Sequence, residues 1–194
     1  MTRPVVVAGL MALIASVAPP AWAVSETYVI DPTHTYPSFE FSHMGVSIWR
    51  GKFDKTTGTI VIDRAAHTGS VDIHVDPASI NIGLDAMDEK ARSEDFFNVA
   101  QYPTAHYKGT IRFVGDVPAA IDGEITLLGV TKPLRLTINS TKCTPNPMTQ
   151  KEFCGADAQG EVNWSQFGMK WSKFGEGDAG RTLLRIQVEG SKPD

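Results

Sequence analysis

Apolar and polar positions alternate along most of this chain with a period of two, the mark of strands with one buried face. Phe39, Phe41 and His43 alternate with Glu40 and Ser42, Gly45 permits a bend, and Val46, Ile48 and Arg50 then alternate with Ser47 and Trp49. Val71, Ile73 and Val75 oppose Ser70, Asp72, His74 and Asp76. The same pattern predicts strands over Tyr28–Ile30, Thr59–Ile62, Ala105–Val114, Ala119–Leu128, Leu134–Asn139, Ala156–Trp164 and Thr182–Glu189. Only Leu84–Glu94, where Leu84, Met87 and Ala91 share a face, has helical composition and spacing. Turn residues separate the strands, and no helix recurs from strand to strand as an α/β pattern would require. About eight strands with one short helix make an all-β, antiparallel fold. An up-and-down barrel around an apolar ligand removes the sheet edges, and a two-sheet sandwich is the competing arrangement.

The first 23 residues are read apart from this domain. Arg3 precedes the apolar run Val5–Ala18, and Ala21-Trp22-Ala23 has the small-x-small pattern of a cleavage site. The run is short for a bilayer span, so a signal peptide at 1–23 is expected rather than an anchor helix. Residues 24–194 then form one domain of 171 residues, in the periplasm or beyond, without stable membrane insertion. Cys143 and Cys154 are the two cysteines, and an even count in an exported chain predicts one disulfide across a loop. The full chain carries a formal charge of −4 and has no Lys/Arg cluster, which argues against nucleic acid and anionic lipid surfaces as partners.

Candidate chemistry is sparse. There is no GxSxG, HExxH or phosphate-binding loop, and the five histidines are dispersed, so no catalytic residue, cofactor or metal is assigned. Asp31 with His34 is the acid/base pair an enzyme would most simply use. Asp72, His74 and Asp76 share a strand face, but three ligands in a line do not surround an ion, and the face is read as solvent-exposed. The aromatic residues carry more. Phe39, Phe41, Trp49, Phe53, Phe96, Phe97, Tyr107, Phe113, Trp164, Phe167 and Trp171 are candidate lining for an apolar interior, though some must face outward or pack under the helix. His43, near a strand end, is placed against a ligand's polar headgroup, and His34 is a weaker candidate. A filled barrel serving protein interaction is the alternative, and a homodimer is compatible with either.

Several strings carry a family resemblance. YVIDPTHT at 28–35, FEFSHMGV at 39–46, RGKF at 50–53, SEDFFNV at 93–99, YPTA at 102–105, GEITLLGVTKPL at 123–134 and FGM at 167–169 together resemble the YceI-like family. That resemblance implies a lipocalin-like barrel binding an isoprenoid or quinone-type lipid, a periplasmic or secreted bacterial setting, and no known catalytic activity. The chain departs from the family pattern at Leu128, at Asp88-Glu89-Lys90-Ala91 and at Trp164-Ser165-Gln166. Those departures remove polar groups that would meet a headgroup.

Overall fold

Two-residue periodicity fixes which face of each strand turns inward, and the pairing shows how the strands meet. The computed structural model describes residues 24–169 and 180–193; the expected signal peptide and Trp171 lie outside them. The strands are β1 (Glu26–Ile30), β2 (Tyr36–His43), β3 (Ser47–Phe53), β4 (Thr56–Asp63), β5 (Thr68–Val75), β6 (Ile80–Asn81), β7 (Ala105–Val114), β8 (Val117–Leu127), β9 (Val130–Pro145), β10 (Glu152–Asn163) and β11 (Arg181–Ser191). Helix α1 (Asp85–Arg92) lies between β6 and β7. All pairings are antiparallel, in the order β1-β4-β5-β7-β8-β9-β10-β11, and β11 returns to β1, so eight strands close a barrel.

The remaining short strands continue these. Glu26 lies opposite Ile62 in β1–β4 and Ser38 opposite Lys52 in β2–β3, one hairpin with a small slip in register. β6 likewise extends the β5 side, with Asn81 opposite Lys52. The kink between β1 and β2 exposes a gap in the ladder to β11. Asp31 and Thr35 bridge it: the Glu189 carbonyl accepts from the Asp31 N–H at 2.9 Å and from the hydroxyl of Thr35, which is 1% exposed, at 3.2 Å, and that hydroxyl accepts from the Glu189 N–H at 3.2 Å. A buried backbone group without such a partner would cost about 1–3 kcal/mol.

One expected loop is more regular than its composition suggests. The cysteine loop is the end of a hairpin, because Cys143 and Cys154 are directly opposed in β9 and β10 and only residues 146–151 turn. The two are joined as the expected disulfide, with Cα atoms 4.0 Å apart. Closing so short a loop contributes about 3 kcal/mol through the unfolded chain.

α1 is too short to hold alone and is tied down by its polar residues. Asp88 is buried and accepts from the Ile82 N–H at 2.7 Å. Arg92 donates to the carbonyls of Ala78 and Ile80 at 2.8 and 3.1 Å. Asp88 thus anchors the helix over one end of the barrel, where Met87, Lys90 and Ala91 border the interior.

Candidate functional site

The interior is open. A cavity of about 900 Å³ runs the length of the barrel, bounded almost wholly by apolar side chains. A filled barrel, the alternative drawn from sequence, is not what these residues build. Phe39, Phe41, His43, Trp49, Phe53, Phe96, Phe97, Tyr107 and Trp164 all line the cavity.

Most of these aromatics form one wall. Successive ring centroids are 5.6 Å apart for Phe97–Phe53, 5.5 Å for Phe53–Phe39, 6.2 Å for Phe39–Phe41, 6.1 Å for Phe41–Trp49 and 4.2 Å for Trp49–His43. Register explains the ladder. Phe41 faces Trp49 across the β2–β3 pair, whereas Phe39 faces Gly51. A Cβ on Gly51 would stand 2.5 Å from Cζ of Phe39, so glycine is what lets that ring lie flat over β3.

Two candidates are elsewhere. Phe113 keeps the inward parity of Tyr107 and Ile111 but sits near the end of β7, outside the cavity wall; the β7–β8 bulge beside it puts its extra residue, Ala119, on β8. Phe113 packs beside the core and stacks on His67 at 5.8 Å. Phe167 is 1% exposed in the 3-10 turn Trp164–Phe167, outside the cavity wall. His34 is in the β1–β2 turn, exposed, with Nδ1 2.8 Å from Asp31 Oδ2. That pair is a local turn contact away from the cavity.

The larger part of the wall is aliphatic, which the aromatic pattern alone does not reveal. Ile60, Val71, Ile73, Ile111, Ile121, Ile125, Leu134, Leu136, Ile138, Leu184 and Ile186 line it. Their even spacing within each strand was the available signal. Tyr107 is buried among them, and its hydroxyl donates to the Leu134 carbonyl at 3.1 Å. Burial pushes that phenol well above the ordinary tyrosine range.

The two ends differ. At the α1 end the wall includes Ser42, His43, Met44, Met87, Lys90 and Phe96. Lys90 is paired with Asp95. Beyond this rim Met44, Val46 and Ile48 are exposed on the β2–β3 hairpin. The other end is closed by an ionic cluster. Tyr28 turns its ring to the cavity and donates to Glu152 at 2.5 Å. Lys192 donates to Glu26 at 2.6 Å and lies 3.2 Å from Glu152, while Arg64 reaches Glu26 at 3.0 Å.

These contacts shift the charges. The hydrogen bond from Lys192 holds Glu26 below the ordinary 4.5, and that from Tyr28 does the same for Glu152. The Glu26 hydrogen bond raises Lys192 above its ordinary 10.5. A lowered carboxylate stabilises fully above its unfolded pKa and less as pH falls through the native one; a raised ammonium stabilises fully below its unfolded pKa and less as pH rises through the native one. The cluster therefore contributes fully between about pH 5 and 10. Melting temperatures of the wild type should fall below about pH 4.5, and Glu26→Gln should make that acid limb shallower. An acid limb of equal slope in both proteins would remove Glu26 from the account.

A YceI-like domain matches residues 28–189. A UPF0312 protein of Pseudomonas savastanoi pv. phaseolicola is 33% identical over 175 residues, covering 87% of this chain and 88% of that protein. Protein YceI of Escherichia coli is 31% identical over 173 residues, covering 87% and 88%. Among solved structures, Burkholderia cenocepacia BcnA has a TM-score of 0.65 at 17% identity, covering 82% of this chain and 98% of BcnA. A polyisoprenoid binding domain from Saccharophagus degradans, implicated in plant cell wall breakdown, has a TM-score of 0.57 at 14% identity, covering 86% and 98%. The structures share the fold, the sequences share more than that, and the chain belongs to the YceI-like family.

Proposed function

We propose that this protein binds an extended apolar lipid of polyisoprenoid or quinone type inside the barrel, with the headgroup at the α1 end beside His43 and Lys90, and that it does so in the periplasm after export. The observation that carries this reading is the 900 Å³ apolar cavity, at the upper end of the roughly 300–1,000 Å³ usual for small-molecule sites. A related fold described as a polyisoprenoid binding domain supports the same ligand class. The interior offers burial rather than reactive groups. At about 0.8 kcal/mol per buried methylene, a five-carbon isoprene unit contributes about 4 kcal/mol before costs. Association costs roughly 4–15 kcal/mol, so a tail of about four units binds even at the upper bound. Apolar Met44, Val46 and Ile48 at the rim fit a route by which such a tail enters.

The test is to purify the mature protein from periplasm without detergent, extract it with organic solvent and analyse the extract by mass spectrometry. A stoichiometric isoprenoid or quinone is expected, from a protein whose N-terminus is Val24. Lipid-free protein that also fails to take up added polyprenyl lipid would end this reading.

A further inference from the structure

We propose that Asp72, His74 and His106 form a transition-metal site on the outer wall of the barrel, taking a divalent ion of the zinc, copper or nickel class. A single strand cannot surround an ion, but two strands can. Asp72 and His74 share the outward face of β5, and β7 places His106 directly opposite His74. Nε2 of His74 and Nε2 of His106 lie 3.0 and 2.8 Å from the same oxygen, Asp72 Oδ1. All three ligand atoms lie within 4.8 Å of one another. A tetrahedral ion bound at about 2.0–2.1 Å keeps its ligands about 3.3 Å apart, so two of the three separations are within a few tenths of an ångström of that.

What remains is a rotation. The imidazoles are stacked, with centroids 4.4 Å apart and planes 3° from parallel, so each must turn about its Cβ–Cγ bond for the nitrogens to converge. Side-chain exposures of 48% for His74 and 32% for His106 leave room for that turn and for water in the remaining coordination position. The surroundings do not compete. Lys108, opposite Asp72, lies toward Glu124 at 4.0 Å. Asp76, further along the same strand face, caps the 3-10 turn Pro77–Ser79 by accepting from the Ala78 N–H at 2.8 Å. Two imidazoles with one carboxylate suit zinc, copper and nickel over magnesium or calcium, which prefer all-oxygen shells. Val71, Ile73 and Val75 carry the inward face of the same strand, so this site and the cavity can be altered separately.

The experiment is calorimetric titration of untagged, chelator-treated protein with Zn²⁺, repeated on His74→Ala, His106→Ala, the double variant and a His34→Ala/His67→Ala control, with circular dichroism to verify folding. Wild type and control should bind one equivalent. Loss of outer-shell partners weakens metal sites about 10–100-fold, so loss of either imidazole ligand should weaken Zn²⁺ at least about tenfold. The double variant should show no saturable uptake. In the wild type, Cu²⁺ should give an electron paramagnetic resonance spectrum with coupling to two imidazole nitrogens. No saturable uptake by the wild type, or equal uptake by the folded double variant, would overturn the site.

Discussion

Replacing both Ile73 and Ile186 with tryptophan should lower the lipid that co-purifies with the protein at least about tenfold while leaving a folded barrel. Ile73 is on β5 and Ile186 on β11, with β4 and β1 between them around the ring. Both line the cavity and pack on the buried cluster of Val71, Tyr107, Ile111 and Leu136. In a filled core, added bulk costs about 1–3 kcal/mol through strained rotamers. Here about 900 Å³ of space accepts the indoles, so the melting temperature of lipid-free protein should change little. The lipid bears the effect. Excluding as few as two methylenes from the wall costs about 1.6 kcal/mol, already more than tenfold in affinity. Val117→Trp, at an exposed position outside the cavity wall, serves as the control and should retain full occupancy. Undiminished lipid in the double variant, measured by mass spectrometry on solvent extracts, would mean that the tail is held elsewhere.

Much of the fold was legible because the barrel is a meander of consecutive hairpins, so neighbours in sequence are neighbours in the sheet. Alternation at Val71, Ile73 and Val75, or at Leu134, Leu136 and Ile138, identifies inward faces without any knowledge of long-range partners. Alternation fails where the backbone adds or slips a residue. In β8, Pro118 and Ile121 both line the cavity although they differ in parity, because the bulge opposite Arg112 and Phe113 adds Ala119, and nothing in the local string announces it. The cysteine region shows the opposite error. Its prolines and asparagine suggest a loop throughout, whereas Pro145 ends one strand and only residues 146–151 turn.

The site was legible unevenly. Large aromatics attract attention as lining, but the rings concentrate on β2, β3 and the Phe96-Phe97 segment, and aliphatic residues of the other strands supply most of the wall. Their role depends on the barrel being hollow, which is a property of its closure rather than of any strand. Asp72 and His74 look inert as a row on one strand. His106, distant in sequence, becomes their neighbour only through the β5–β7 register. Lys90, at a departure from the family strings, proves to sit at the rim because Asp88 fixes the helix that carries it.

Phe39→Ala should destabilise the lipid-free protein by about 3 kcal/mol, lowering its melting temperature by roughly 6–12 °C. Phe39 is 9% exposed, contacts the rings of Phe41 and Phe53, and covers Gly51. Loss of a buried phenylalanine ring ranges over about 3–5 kcal/mol, and one edge of this ring borders space that is already empty, which favours the lower figure. Lipid must be removed first, since a bound ligand adds its own stabilisation to any melt. The contact with Gly51 can be isolated by a double-mutant cycle. Gly51→Ala places a Cβ 2.5 Å from Phe39 Cζ and 3.1 Å from the Asn81 carbonyl oxygen. In the wild type the ring must be displaced; in the Phe39→Ala background only the milder approach to Asn81 remains. Gly51→Ala should therefore cost clearly more in the first background than in the second, with a coupling of about 1 kcal/mol or more by urea titration. Equal costs in the two backgrounds would show that the glycine serves β3 itself and not the ring above it, and the aromatic wall would then owe its alignment to Phe53 and Phe97 alone.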